Sequence, residues 1–343
     1  MSDDSYISPS DIKNLIKGLK EQTTFRECCD TLITATKLDI TRESVKTELI
    51  AALRSSDNDY QIQGIVSVLK EIGETGDVSV IPAMIEKLES KDNPKGISQT
   101  CFAIAAIGSK TGDERVIPAL VDALCKYPVN MECVNNYPIG TQVEILKAVY
   151  DRLESTDDSK GIRSICFQLA NIEHKIKTNN ELVVPVLVKI LCKYPENMDC
   201  ILYYPKERQT ELLREIYSNG EWSARLRAIY HLGDLAKQEK NPVLCFKLLI
   251  DGLSDVKDDV RTAAFEYLCD AINYTRINLN LIKKYVENAP DTSEEAAECK
   301  ANVLHFISLK KRAQMEATKS ELKLRKKTPK EPKTAGTRKQ RAR

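Results

Sequence analysis

The chain has few aromatic residues, few glycines and prolines, and no long apolar run, and each shortage excludes a class of protein. Aromatic residues make up 6% of the 343 residues, and glycine and proline occur 13 times each, too rarely for an all-β chain with many turns. No apolar run approaches the roughly 18 residues that a membrane-spanning helix needs. The first residues, Met1 to Ser5, are polar and acidic, which is not typical of a signal peptide.

Histidine is scarce as well, and the usual catalytic motifs are missing. The three histidines are scattered along the chain, and there is no Gly-rich phosphate loop, Gly-x-Ser-x-Gly or zinc-protease motif. These shortages favour a protein that is not an enzyme and that needs neither a metal nor another cofactor. Eleven cysteines occur without secretory features. We therefore expect reduced thiols in a soluble, cytoplasmic protein, with the nucleus as the alternative in a eukaryote.

What the chain does contain is a duplicated segment. The run from Leu124 to Pro138 returns from Leu191 to Pro205, 67 residues later, with Leu-Cys-Lys-Tyr-Pro, Asn-Met, Cys and Tyr-Pro at matching places. A second match, at an offset of 65 residues, relates residues 88–102 to residues 153–167. Repeats at such periods are typical of solenoids, whose stacked helices mostly serve as binding surfaces.

A further set of residues follows one pattern of helix starts and ends. The set comprises Ile81-Pro82-Ala83, Ile117-Pro118-Ala119, Ile72-Gly73, Ile107-Gly108, and Asp259-Val260-Arg261 with Ala264 and Leu268. On these residues, the chain from about 40 to 275 resembles HEAT repeats. In that family a first helix carries a proline near its start, and a second begins Val-Arg-x-x-Ala and ends Ile-Gly. The resemblance implies an all-α, right-handed α-solenoid of HEAT/armadillo-like helical repeats, and it says little about function.

The resemblance and the charge pattern together divide the chain into three parts. Residues 1–275 are expected to form the solenoid, and residues 276–309 its C-terminal capping helices, with a capping box at Thr292-Ser293-Glu294-Glu295. Residues 310–343 are expected to be a basic tail, helical at first and disordered from Thr328. The tail carries a net charge of +11 and the preceding residues −10. The acidic body favours a basic protein partner, and the tail favours phosphates or an acidic protein.

The duplicated segment departs from the HEAT pattern. Helices are expected at about 113–126, 138–154 and 158–173, and a loop of about ten residues replaces the usual tight turn between the first two. The unit is therefore either an armadillo-like three-helix repeat or a HEAT pair with one irregular helix.

The two loops form the first candidate site. They carry large apolar side chains that are costly to expose unless something binds them. Packing of each loop onto its neighbour is the alternative explanation. The candidate partner-binding residues are Tyr127, Pro128, Met131, Tyr137, Tyr194, Pro195, Met198 and Tyr204.

The loops also hold four cysteines, Cys125, Cys133, Cys192 and Cys200. Seven residues separate the two cysteines of each copy, unlike the Cys-x2-4-Cys spacing of zinc sites. The copies also lie about three helices apart, too far for one tetrahedral site. We expect these cysteines to be buried as small hydrophobic residues rather than to bind a metal or form a local disulfide.

The basic tail is the second candidate site. Its density of lysine and arginine attracts phosphates, but it has no aromatic residues to stack on bases. A nuclear localisation signal, contact with an acidic protein and simple solubilisation are the alternatives. The candidate nucleic-acid-binding residues are Lys323, Arg325, Lys326, Lys327, Arg338, Lys339, Arg341 and Arg343.

These observations predict a non-enzymatic protein-binding scaffold or adaptor that uses the solenoid surface. The alternative is a nucleic-acid- or ribonucleoprotein-associated factor held by the basic tail. A less favoured alternative is a HEAT-like enzyme such as a lyase or a DNA glycosylase. In a glycosylase, Trp222, Arg225 and Arg227 would line the groove, whereas Trp222 is otherwise expected to be a core or staple residue at a helix start.

Overall fold

A computed structural model gives the fold of the chain. It describes residues 7–90, 96–156, 158–176, 182–238, 242–274 and 278–327. Over these ranges the secondary structure is helical and contains no strand. The chain divides into two compact units, Met1–Leu212 and Leu213–Arg343, and the division falls inside helix α11 (Lys206–Asn219).

The described part of the first unit consists of short helices and two unusually long 3-10 helices. The 3-10 helices are segment A (Pro128–Asn136) and segment B (Pro195–Tyr203). The α-helices are α1 (Pro9–Gly18), α2 (Phe25–Thr36), α3 (Asp39–Ser55), α4 (Asp59–Glu74), α5 (Ile81–Glu89), α6 (Ile97–Thr111), α7 (Val116–Lys126), α8 (Ile139–Glu154), α9 (Ser159–Ile176) and α10 (Val183–Lys193).

Local sequence signals explain where several of these helices begin. Ser8 caps α1, because its Oγ accepts a hydrogen bond from the Asp11 N–H at 3.2 Å, and Pro9 follows at the first helical position. Pro82 is the second residue of α5, as its missing N–H predicts. The expected helices at the start of the chain and at Pro82 are thus confirmed.

The helices of the first unit pack in two layers. In one layer, α1, α3, α5, α7 and α8 contact one another in succession. In the other, called here the second layer, α2 contacts α4, α4 contacts α6, and α9 lies further along. Ion pairs also link successive helices of the first of these layers, for example Arg54 of α3 to Glu86 of α5 at 2.9 Å, and Arg152 of α8 to Asp122 of α7. The all-helical, repeat-like architecture expected from the sequence is therefore present.

Segments A and B occupy helix positions in the second layer. Segment A contacts α6 on one side and α9 on the other, and segment B contacts α9. Within segment A the Asn130 N–H donates to the Tyr127 carbonyl at 3.1 Å, and in segment B Asn197 does the same to Tyr194 at 3.1 Å. These are i to i+3 bonds, which define a 3-10 helix. The prediction of a loop here was wrong. Each segment is a 3-10 helix that contacts second-layer helices.

The second unit contains the remaining α-helices that the structure describes. They are α12 (Trp222–Gln238), α13 (Val243–Gly252), α14 (Asp258–Tyr274), α15 (Leu279–Asn288) and α16 (Glu294–Lys327). Here α12 contacts α14 and α14 contacts α16, while α13 contacts α15. The same two-layer pairing therefore recurs.

A buried ion pair holds the start of α12 to the turn before α14. Arg225 donates from Nε to Asp255 Oδ2 at 2.7 Å and from Nη2 to Oδ1 at 3.0 Å. Tyr217 and the Lys257 N–H also donate to this carboxylate. Burial alone would raise the pKa of Asp255, but the bonds from Arg225 and its neighbours hold the pKa below its usual range. The carboxylate is therefore ionised at neutral pH.

The last helix starts one residue later than the capping box predicts. Ser293 Oγ accepts from the Ala296 N–H at 3.2 Å, so Ser293 caps α16. Thr292 instead donates its hydroxyl proton to the Ser254 carbonyl at 2.7 Å. The helical first part of the basic tail, residues 310–327, belongs to α16, and residues 328–343 lie outside the described residues.

Candidate protein-binding surface

The apolar residues that the sequence singled out in segments A and B mostly face the protein interior. Three of the eight, Tyr127, Pro128 and Pro195, are half-buried. The buried ones are Met131, Tyr137, Tyr194, Met198 and Tyr204. Because each segment lies against second-layer helices, these side chains fill the space that a regular helix would otherwise fill. Their burial matches the alternative left open by the sequence, the packing of each segment onto its neighbour.

Paired thiols fix each segment against a helix. Cys133 of segment A forms a hydrogen bond with Cys101 of α6, and Cys200 of segment B forms one with Cys166 of α9. The bond with the Cys101 thiol, and then burial, raises the pKa of Cys133 far above its usual range. The same two causes raise the pKa of Cys166. Cys133 and Cys166 therefore stay protonated at physiological pH, so they pack rather than react.

The loop cysteines do not come together into one site. Cys125 and Cys192 are half-buried and lie outside the two thiol pairs. Among the residues that the structure describes, no group of three or more His, Cys, Asp or Glu side chains is placed to hold a metal ion.

A glutamine that both copies share follows each segment, in the next α-helix. Gln142 donates from Nε2 to the Tyr137 carbonyl at 2.6 Å, and Gln209 donates to the Tyr204 carbonyl at 2.5 Å. Each glutamine lies in the first turn or two of the next α-helix, so the bond joins the 3-10 segment to that helix. Each segment is therefore joined to a second-layer helix by its cysteine and to the next α-helix by the glutamine.

That outer face differs sharply between the two segments. Where segment A carries Asn135 and Asn136, segment B carries Leu202 and Tyr203. The segment B side chains are 59% and 54% exposed. Asn135 accepts hydrogen bonds from Gln168 and Lys175 of α9, at 2.9 and 3.2 Å. These positions are exposed, and they are polar in one copy and apolar in the other. Packing of the core therefore does not explain the apolar side chains of segment B.

Aromatic and basic side chains extend this exposed patch along α9. The Tyr203 and Phe167 rings meet edge to face, with centroids 5.4 Å apart. The guanidinium carbon of Arg163 lies 5.3 Å from the centroid of the Phe167 ring. We call Arg163, Phe167, Leu202 and Tyr203 the aromatic surface. The sequence analysis missed the aromatic surface because it compared the residues that the two copies share. The residues that indicate the surface, Leu202 and Tyr203, are ones that differ between the copies.

The three residues considered for a glycosylase groove all lie near the start of α12 in the second unit. Arg225 is held by Asp255, as described above. Trp222 is the first residue of α12, at a helix start as expected, and it is 43% exposed, so of the two expected roles it does not have that of a core residue. Arg227 is exposed.

The tail candidates fall partly outside the structure. Lys323, Arg325, Lys326 and Lys327 lie in α16 by their backbone. Arg338, Lys339, Arg341 and Arg343 lie outside the described residues.

Two further observations bear on function. None of the helices within the described ranges is both long enough and apolar enough to cross a membrane. A comparison of the sequence with models of protein families and with curated proteins found no match.

Proposed function

We propose that this chain is a non-enzymatic protein-binding scaffold, a right-handed solenoid of HEAT/armadillo type, and that the aromatic surface binds its partner. The observation that carries the proposal is the exposure of Leu202 and Tyr203 at positions where the sister copy has asparagines. Exposed tyrosine and arginine are the side chains that most often dominate the energy of a protein interface. A partner would bury them without any rearrangement of the segment.

The support for this surface is rigid, which favours binding. Segment B is held by the thiol pair Cys166–Cys200, by Gln209 and by the buried Met198 beneath it. A surface that is already ordered loses little entropy when a partner binds.

The charge around the surface indicates the chemistry of the partner. Glu196 and Asp199 are exposed on segment B, and the chain before residue 310 carries a net charge of −10. We propose a partner segment that combines an apolar or aromatic side chain, to seat on Tyr203 and Leu202, with basic residues for these carboxylates. The eleven free thiols fit a reducing compartment. The proposed location is therefore the cytoplasm, or the nucleus in a eukaryote.

Substitution of the aromatic surface tests the proposal. We expect the variant Leu202→Asp with Tyr203→Asp to lose its captured protein partner, because two buried charges would oppose apolar contact by about 4 kcal/mol or more. The measurement is affinity capture by the full-length chain from native lysate with nuclease present, read out by quantitative mass spectrometry. Tyr274→Asp is the matched control, because Tyr274 is 75% exposed and belongs to the second unit.

The two substituted side chains are more than half exposed, so both variants should unfold at the same temperature as the parent chain. Retention of the same partners by the Leu202→Asp, Tyr203→Asp chain would refute the proposed surface. Loss of the partners from the Tyr274→Asp control alone would move the interface to the second unit.

A further inference from the structure

Helix α16 of the second unit is much longer than α15, the helix beside it. Helix α15 spans Leu279–Asn288, whereas α16 spans Glu294–Lys327. Near the end of α15, Lys300 of α16 contacts Asp291 at 2.6 Å, and near its start Lys311 contacts Asn280 at 2.6 Å. Beyond Lys311, only the first residues of α15 lie near α16, and residues 312–321 are all exposed.

A groove lies where α15 begins and α16 continues. It has a volume of about 670 Å³ and is lined by Asn278, Asn280, Lys311, Gln314, Met315 and Lys319, among others. Met315 is 57% exposed, so an apolar contact is available between the polar groups. Amide side chains lie between two lysines eight residues apart, which is roughly 12 Å along the helix axis.

Two lysines at this end of the unit contact neutral amides and not carboxylates. Two other lysines that bridge repeats meet carboxylates, Lys46 with Asp77 at 2.9 Å and Lys237 with Asp270 at 3.3 Å. Lys310 instead contacts the neutral Asn273 side chain at 2.9 Å. Lys311 likewise contacts the neutral amide of Asn280. Within the described residues, no basic side chain between 310 and 319 forms an ion pair.

We propose that this groove binds the backbone of a single-stranded nucleic acid. Lys311 and Lys319 would contact phosphates. Amides such as Asn278 and Gln314 can donate and accept hydrogen bonds at base edges, and Met315 can lie against a base. The amide lining favours a nucleic acid over an acidic peptide, because amides both donate and accept hydrogen bonds, as base edges do, whereas carboxylates only accept them. This activity is independent of the proposed protein-binding surface.

Fluorescence anisotropy tests the site with a labelled oligouridylate of about 20 nucleotides and the full-length chain, over a series of KCl concentrations. Replacement of both groove lysines, Lys311→Gln with Lys319→Gln, is expected to weaken binding about tenfold at low salt. It should also lower the slope of log Kd against log salt by about 1.4, the value for two single-strand phosphates.

The matched control is Lys283→Gln with Lys284→Gln, which removes the same charge from exposed positions of α15 outside the groove. It is expected to change the affinity by less than about twofold. A second groove variant, Gln314→Glu, adds a negative charge without removing a lysine and should also weaken binding.

Three results would overturn the assignment. One is no measurable binding by the parent chain, and another is an equal loss in the groove and control variants. The third is equal affinity for a labelled poly-glutamate of the same length with the same loss on substitution, which would mean that the groove takes an acidic protein segment.

Discussion

Replacement of Gly108 by valine is expected to destabilise the first unit by about 3 kcal/mol or more. Gly108 lies in α6 against the end of segment A. A Cβ atom at this position would overlap the Tyr137 hydroxyl and lie 2.6 Å from Val116 Cγ1. Both neighbours are buried, so neither can swing aside into solvent. The cost arises because Tyr137, the residue that follows segment A, reaches the α6 backbone.

Urea unfolding followed by circular dichroism measures this effect, and Gly140→Val is the matched control. Gly140 is a helical glycine of α8 whose Cβ would meet nothing within 4 Å, so the same change should cost less than about 1 kcal/mol there. The Tyr137 hydroxyl has no hydrogen-bond partner among the described residues. Tyr137→Phe should therefore be neutral, and in the background of Gly108→Ala it should restore part of the lost stability. Equal costs at Gly108 and Gly140 would contradict the packing of segment A against α6.

Replacement of Asp255 by alanine is expected to destabilise the second unit by about 3 kcal/mol at neutral pH. The Asp255 side chain is only 4% exposed. Its carboxylate accepts hydrogen bonds from Arg225 Nε and Nη2 and from the Tyr217 hydroxyl. Its removal leaves a largely buried guanidinium and a buried hydroxyl without their acceptor. Urea unfolding is again the measurement. Asp270→Ala serves as control, because the Asp270–Lys237 pair is exposed at the carboxylate and should be worth less than about 1 kcal/mol.

The effect of Asp255→Ala should depend on pH in a defined direction. The pKa of Asp255 is lower in the folded chain than its usual value. The carboxylate therefore contributes stability above about pH 4, and the contribution is lost as the pH falls through the folded-state pKa. The difference between the parent and variant chains should shrink on acidification. A difference that is constant between neutral and acidic pH would show that the lost stability comes from packing and not from the ion pair.

The sequence predicted the helices best where a cap or proline marks their start. Ser8-Pro9 and Pro82 lie where α1 and α5 begin. The prediction of helix ends from the sequence failed where a residue that was expected to cap a helix contacts another part of the fold. Gly73 reads as a helix C-cap, but α4 continues to Glu74, and the absent side chain of Gly73 makes room for Ile107. Thr292 likewise caps no helix, because its hydroxyl reaches Ser254.

The 3-10 segments could not be predicted from apolar spacing. A 3-10 helix has three residues per turn, and over nine residues it shows neither the helical period nor the alternation of a strand. Proline at the first position of each segment was a signal, since it fixes the backbone for a helical start. The aromatic surface could have been predicted from the sequence, because comparison of the two copies shows Leu202-Tyr203 where the first copy has Asn135-Asn136.

Photo-crosslinking from position 202 tests whether segment B presents a surface for a protein partner. A benzophenone amino acid would replace Leu202 in the full-length chain, with the same group at the more exposed Tyr274 as reference, in native lysate treated with nuclease. We predict a discrete protein adduct from position 202 that is absent from position 274 and is lost on Tyr203→Asp. Identical adducts from both positions, or none from position 202, would contradict the account.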